Sequence, residues 1–367
     1  MEIRKCRMES LVNKSILTSY YTGKKVFITG HTGFKGTWLS LWLESLGATV
    51  KGYALAPELP ECIFNLVNQD QKIESIIADI RDKERLKKEI ISFQPDYIFH
   101  LAAQPLVLRS YEIPSETFEV NAVGTANVLE SIIHLNKKCA IVIITTDKVY
   151  ENKEQDILYK EDDRLGGFDP YSASKACAEL VVNSFRNSFF NNKEYALHQK
   201  SIVSVRAGNV IGGGDFSQNR IIPDIVRYLR ENKEILLRNP NSVRPWQHVL
   251  EPLGGYLLLG GMLYENNSLS GAYNFGPYEK DHLTVKELAT IAINMWGKGK
   301  YKNDDEINKP HEAGLLKLSI DKAINEINWH PKWSAQQAVE ATIDWYKNAS
   351  EHPYTFTLEQ INHYMQL

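Results

Sequence analysis

Tyr171 and Lys175 stand four residues apart in Tyr171-Ser172-Ala173-Ser174-Lys175, a spacing that puts both side chains on one face of a helix. Upstream, Thr145-Thr146-Asp147-Lys148 closes the apolar run Cys139 to Ile144 and presents a hydroxyl, a carboxyl and an amine in succession. A phenol beside a fixed positive charge ionises below its free value of about 10. Such a phenolate is suited to take the proton of an alcohol while hydride leaves the same carbon. The additional acid and base at Asp147 and Lys148 point to chemistry beyond simple alcohol oxidation.

A second constellation lies near the start. Gly30-His31-Thr32-Gly33-Phe34-Lys35-Gly36 separates an expected strand, Lys25 to Thr29, from an expected helix, Gly33 to Leu46. Glycines there permit a tight turn and close backbone approach to a pyrophosphate, which rests on the helix N-terminus. The next strand, Ala48 to Leu55, has neither an acid for an adenosine ribose nor an arginine pair for a 2′-phosphate. Local chemistry therefore leaves NAD against NADP open. Asp79 and Ile80, after a weaker third strand, are candidates for the adenine edge, with Asp82 as a helix N-cap.

The elements that must position these groups alternate. Further strands are expected at Glu74 to Ala78, Tyr97 to Leu101, Ala140 to Thr145 and Ser201 to Arg206, with Ala272 to Phe275 returning to extend the sheet. Helices are expected at Lys83 to Ser92, Ser115 to His134 and Tyr171 to Phe190. Short, continuously apolar strands between helices indicate an α/β fold, a Rossmann-type doubly wound parallel sheet covered on both faces. The reading divides the chain into a polar extension (1–22), a dinucleotide-binding domain (23–206), a smaller mixed α/β substrate-binding domain (207–350, with 246–276 returning to the first) and a tail (351–367). Helices at Ile222 to Glu231, Thr284 to Trp296 and Ala335 to Lys347 and an exposed loop at Lys298 to Asn308 belong to the second domain.

Composition excludes several classes. A formal charge of −3, from 42 basic and 45 acidic residues, implies no nucleic-acid or membrane field. The longest apolar stretch, Tyr256 to Tyr264, is far short of the roughly 20 residues that span a bilayer. Cysteines 6, 62, 139 and 177 show no metal or redox spacing and read as reduced thiols. With no apolar secretion signal, the expectation is a cytoplasmic protein without a metal centre.

Taken together these motifs resemble the extended short-chain dehydrogenase/reductase superfamily. The glycine turn, His100-Leu101-Ala102-Ala103, Asn121 with Gly124-Thr125, and Tyr171-x-x-x-Lys175 carry that likeness, from about Lys24 to Lys347. Within it the chain is similar to the nucleotide-sugar 4,6-dehydratases through the stretch from Gly30 to Trp42, Leu101 to Val107, Thr146 to Tyr150, Gly166 to Tyr171 and Arg244 to Pro252. Many of those enzymes have Asp-Glu where this chain has Asp147-Lys148; the lysine is typical of the group acting on CDP-glucose.

The resemblance implies NAD as a cofactor that ends the reaction as it began, held by Gly30, His31, Gly33, Phe34, Lys35, Gly36, Asp79, Ile80, Leu101, Ala102, Ala103, Asn121, Tyr171 and Lys175. It implies that Tyr171 takes the C4 hydroxyl proton, Lys175 lowers the phenol's pKa and binds the nicotinamide ribose, and Thr146 bonds the C4 oxygen. Lys148 would remove the C5 proton, or else mainly orient Asp147 and a water, and Asp147 would donate to the departing C6 hydroxyl. Asn209 and Arg244 match positions near the pyrophosphate. Arg220, His248 and His311 are further substrate candidates, and Gln104 and Arg109 candidates for the sugar site, where Leu108 replaces the usual basic residue. The long helices match a four-helix homodimer interface. Dehydration of another nucleotide sugar, C4 epimerisation and a non-catalytic dinucleotide-binding regulator remain alternatives. Epimerisation has no need of Asp147-Lys148, and a regulator has no need of the Thr146, Tyr171 and Lys175 set.

Overall fold

The apolar runs assemble into one parallel sheet in a computed structural model that describes residues 11–67, 70–303 and 316–367. Its strands are β1 (Lys25–Thr29), β2 (Thr49–Ala54), β3 (Glu74–Ile77), β4 (Tyr97–His100), β5 (Cys139–Ile144), β6 (Lys200–Ala207) and β7 (Gly271–Phe275). They lie in the order β7-β6-β5-β4-β1-β2-β3, every pairing parallel. All residues of β5 and β6 are buried, as expected of strands covered on both sides. Alternation sorts their side chains: Val26, Ile28 and Val142 join the core on one face, Phe27, Ile141 and Ile143 that on the other. Strand order reverses between β1 and β4, so a crevice opens at their carboxyl ends.

The apolar stretch Tyr256 to Tyr264 lies within a helix, Leu250–Glu265, that is buried on nearly all sides. Its glycines let neighbours approach: a Cβ at Gly255 would lie 2.3 Å from the Phe275 ring, and one at Gly261 2.3 Å from the Tyr20 ring. Among the described residues no helix is long and apolar enough to cross a membrane.

The segment read as a polar extension contributes to this core. Lys14–Tyr21 is a helix capped by Asn13; Val12, Leu17 and Tyr21 are buried, and the Tyr21 hydroxyl donates to Leu257 O at 2.7 Å. The tail likewise forms a helix, Pro353–Gln366, burying Ile361, Tyr364 and Met365. Both ends meet at Glu251, whose carboxylate accepts from the Trp333 amide at 2.7 Å and the Tyr364 hydroxyl at 2.8 Å. Lys332 Nζ ties the same point to the carbonyls of Val12 and Tyr364. Burial pushes the Glu251 carboxyl up to about 7. Polar residues in these segments masked an amphipathic pattern whose apolar members are few but fully buried.

Two other expectations change. The helix expected over Ser115 to His134 is broken into Pro114–Phe118, a π-helical turn Glu119–Val123, and Gly124–Ile133. In the expected loop after Lys298, Tyr301–Asn303 pairs as a strand with Ile235–Leu237; positions 304–308 lie outside the described residues.

Leu17→Ala should destabilise the protein by about 2–5 kcal/mol, as loss of a fully buried leucine does elsewhere. The midpoint of urea unfolding measures this, and an unchanged midpoint would mean that the N-terminal helix is not part of the cooperative core.

Candidate active site

The end of β5 and the start of the Pro170–Ser188 helix face each other across the crevice. Thr146 caps a short turn, Asp147–Val149, and its hydroxyl donates to Asp147 Oδ1 at 2.9 Å. Asp147 is buried at 2% exposure, whereas the Lys148 side chain is 36% exposed, its Nζ 3.5 Å from Asp147 Oδ1. The helix is started by Pro170 at its first turn and by Asp169, which accepts from the Ser172 amide at 2.9 Å. Tyr171 is thereby brought beside Thr146, whose hydroxyl acts to lower the phenol's pKa, and Lys175 Nζ donates to the Ile144 carbonyl at 3.1 Å. The sequence-predicted set of Thr146, Asp147, Lys148, Tyr171 and Lys175 is one cluster.

Its electrostatics differ from the simple expectation in one respect. Burial raises the Tyr171 phenol above its ordinary value, and the Lys148 charge, the Thr146 hydroxyl and Arg220 only partly pull it back. Desolvation outweighs the neighbouring cations here. Burial also lowers Lys175 to about 8, with the Glu179 carboxylate opposing. Lys35 is pushed down to about 7 by burial and by the nearby Arg220, Lys175 and Lys148 charges, while Asp147 opposes. Lys35, from the glycine turn, thus shares the field of this cluster.

The glycine turn is built for close approach. Gly30 has φ 80°, and a Cβ on Gly36 would sit 2.0 Å from the Gly30 oxygen. Gly33 caps the Phe34–Ser45 helix without a side-chain acceptor, so its first amides are left for a ligand anion. Leu101, Ala102 and Ala103 form the opposite lip, Leu101 and Ala102 bonding Thr29 through their amides. His31 is buried, shares a 2.7 Å hydrogen bond with Ser75 and meets Phe64 edge-on; burial lowers it to about 4. Gly52 makes room for that ring, since a Cβ there would lie 2.2 Å from it. Within β2, the position of Gly52 is therefore packed by the imidazole of the turn. Asp79 binds Arg81 at 2.7 Å, and Ile80 is buried with its carbonyl accepting from Asn127.

The remaining candidates divide. Asn121 sits in the π-helical turn, accepts from the Gln104 amide at 2.9 Å and donates to Ser174 Oγ at 2.8 Å. Gln104 is buried, with its side chain bonded to Leu106 and Thr117. Both brace the crevice wall from within the protein. Gly208 touches the Asn209 and Arg244 loops to the cluster: a Cβ there would meet Pro245 at 3.1 Å and Asp147 Oδ2 at 3.4 Å. Arg220 is held by buried Asp215 at 2.9 Å and acts on Tyr171 and Lys35. Arg109 forms an exposed pair with Glu58. His248 does not open onto the crevice; it is fully buried between Trp38 and Trp333, and burial lowers it to about 3. It serves the fold. His311 lies outside the described residues. Among those residues, no group of side chains is arranged to hold a metal ion.

Sequence reasoning missed Glu179, Arg206 and Asp215. Glu179 continues the four-residue steps of Tyr171 and Lys175, a pattern that was open to view.

Comparison with known proteins decides the family. The model of the GDP-mannose 4,6 dehydratase family matches residues 27–342. The chain belongs to this family. A CDP-glucose 4,6-dehydratase of Salmonella typhimurium is 48% identical over 331 residues, covering 90% of this chain and 92% of that one. Among solved structures, a dTDP-glucose 4,6-dehydratase from Streptomyces venezuelae with NAD bound aligns with TM-score 0.73 and 24% identity, covering 90% and 99% of the two chains. A UDP-glucose 4-epimerase of Thermus thermophilus aligns with TM-score 0.74 and 24% identity, covering 89% and 99%. Dehydratases and epimerases of nucleotide sugars share this fold, so in this family the groups at the crevice must distinguish them.

Gly52→Ala should cost about 1–3 kcal/mol by forcing the His31 ring from its place. The double variant with His31→Ala should recover most of that loss in thermal unfolding. Equal losses in the single and double variants would show that the ring does not require the glycine.

Proposed function

We propose that the protein is a CDP-glucose 4,6-dehydratase that forms CDP-4-keto-6-deoxy-D-glucose for deoxy-sugar and surface-polysaccharide synthesis in the cytoplasm. The observation that carries the reading is the meeting of the Thr146-Asp147-Lys148 turn with Tyr171 and Lys175. The near-half identity to the Salmonella enzyme across both chains supports the substrate. NAD fits the glycine cradle and the uncapped helix start described above; when bound it supplies the acceptor for the C4 hydrogen and its donor to C6.

Tyr171 takes the C4 hydroxyl proton as the sugar is oxidised, Thr146 holds the C4 oxygen, and Lys175 supplies positive charge and binds the nicotinamide ribose. The resulting 4-ketone acidifies C5. Lys148 removes the C5 proton while Asp147 donates one to the C6 hydroxyl, which leaves as water. Arg220, Arg244 and Asn209 suit the pyrophosphate as planar donors. Segment 207–350 mainly supplies the substrate-binding side.

Offering CDP-, dTDP-, UDP- and GDP-glucose separately tests the substrate, with product followed by mass and NMR. CDP-glucose should lose water to give the 4-keto-6-deoxy sugar; formation of the C4 epimer, or no product from any of them, would sink the proposal. Lys148→Ala should keep cofactor binding, lower kcat by roughly 10²–10⁴-fold, and abolish solvent exchange at C5. Unimpaired exchange would remove Lys148 from the base role.

A homodimer through the long helices belongs to the same proposal. Val123, Ile133, Leu180 and Phe189 are exposed along them, an apolar surface of the kind that marks an interface. Light scattering should give twice the chain mass for the native protein and the chain mass for Leu180→Glu. A native mass of one chain would refute the dimer.

A further inference from the structure

Glu179 touches no atom assigned to the reaction, yet it is among the most elaborately bonded carboxylates of the molecule. It is 4% exposed. Arg206 donates to it twice, Nε to Oε1 and Nη2 to Oε2, each at 3.0 Å. Thr145 donates to Oε1 at 2.5 Å and Ser204 to Oε2 at 2.7 Å. Burial alone would raise this carboxyl; the Arg206 charge and the donors overcome that and hold it below its ordinary value. Arg206 in turn donates to the Tyr150 hydroxyl and the Glu161 carbonyl.

The position of this carboxylate gives the network its meaning. Tyr171, Lys175 and Glu179 follow at four-residue steps on one helix face. Lys175 donates to the Ile144 carbonyl and Glu179 accepts from Thr145, while Tyr171 lies beside Thr146, so the three face consecutive residues where β5 ends. Sliding or rotating the helix would break all three contacts together. The Glu179 charge also lies one turn beyond Lys175, and it opposes the burial that lowers that lysine's pKa.

We propose that Glu179 is the positioning residue of the catalytic helix: it clamps Tyr171 and Lys175 in register with Thr146 and is the counter-charge that keeps Lys175 an ammonium. The proposal rests on the reading of Tyr171 and Lys175 as the catalytic pair. Without a negative charge at 179, Lys175 would face burial, Lys35 from the Phe34–Ser45 helix and neutral His100 from β4. Arg206 from β6 would then add repulsion. The sign follows: Lys175 would lose its proton at lower pH, and activity that needs the ammonium would fail earlier on the alkaline side.

Glu179→Gln keeps the side chain's shape and removes the charge. In the full-length, NAD-loaded protein, the titration of Lys175, followed by NMR of ¹³C-labelled lysine and assigned by its absence in Lys175→Met, should fall by about one pH unit. The alkaline limb of kcat/KM should move down with it, and Glu179→Asp should restore most of the shift. Glu179→Gln leaves Arg206 buried without a counter-charge, which can prevent folding. The paired Glu179→Gln/Arg206→Met variant removes both charges and, freed of the Arg206 repulsion, should show a downward shift of the same sign but smaller size. A folded variant of either kind in which Lys175 titrates as in the native protein overturns the proposal. The NMR titration needs no sugar substrate, so failure of the dehydratase reading in the product assay is distinguishable from failure here.

Discussion

The packing of one helix face against the last residues of one strand is the contact on which the site depends. The Pro170–Ser188 helix presents Tyr171 and Lys175 to Thr146 and the Ile144 carbonyl. β5 is wholly buried and paired on both sides by β4 and β6, so its end is a rigid reference. Groups that must act on one carbon are thus held by two stiff elements rather than by loops. A displacement on the ångström scale would cost a large share of the rate, because geometry is much of what such a site contributes. Asn121 bonding Ser174 from the π-helical turn ties a third element to the same helix.

Burial is the other constraint, and it acts against the charges the chemistry requires. It lowers Lys35 and Lys175 and raises Tyr171. Ion pairs stand behind these groups: buried Glu179 with Arg206 supports Lys175, while Asp215 with the part-exposed Arg220 draws Tyr171 down and adds to the cations that lower Lys35. Such pairs add little stability against an apolar isostere. Their use here is to hold fixed charges near groups whose protonation matters, in a region where water cannot screen them.

Much of this was legible in the sequence because it is local. The βα alternation, the glycine turn and the four-residue spacing of Tyr171 and Lys175 each depend on a few neighbouring residues. What was hidden depends on contacts distant in sequence. Gln104 and Asn121 are amide side chains of a kind that bind ligands, yet Asn121 bonds the Gln104 backbone and Ser174, and Gln104 bonds Leu106 and Thr117. His248, a substrate candidate from its sequence, is instead enclosed by Trp38 and Trp333. The N-terminal helix buries only a few apolar side chains, and its partner surface, the Leu250–Glu265 helix, lies far along the chain. Gly52 on β2 was visible, but the reason for it was not, since the ring that fills its place belongs to His31 of the glycine turn.

The unequal exposure of Asp147 and Lys148 bears on how elimination divides between them. A proton donor to a departing hydroxyl acts within the substrate complex, and Asp147 is enclosed, with Thr146 bonded to it. A base at C5 exchanges its proton with water before returning to its starting state, and Lys148 is open enough to do so. Exchanging the two residues in order would place the charged amine in the enclosed position, beside Lys35 and Lys175. Repulsion there would add to the cations that already lower Lys35. Under the proposed roles, acid first and base second along the turn keeps the amine out of the enclosed position beside Lys35.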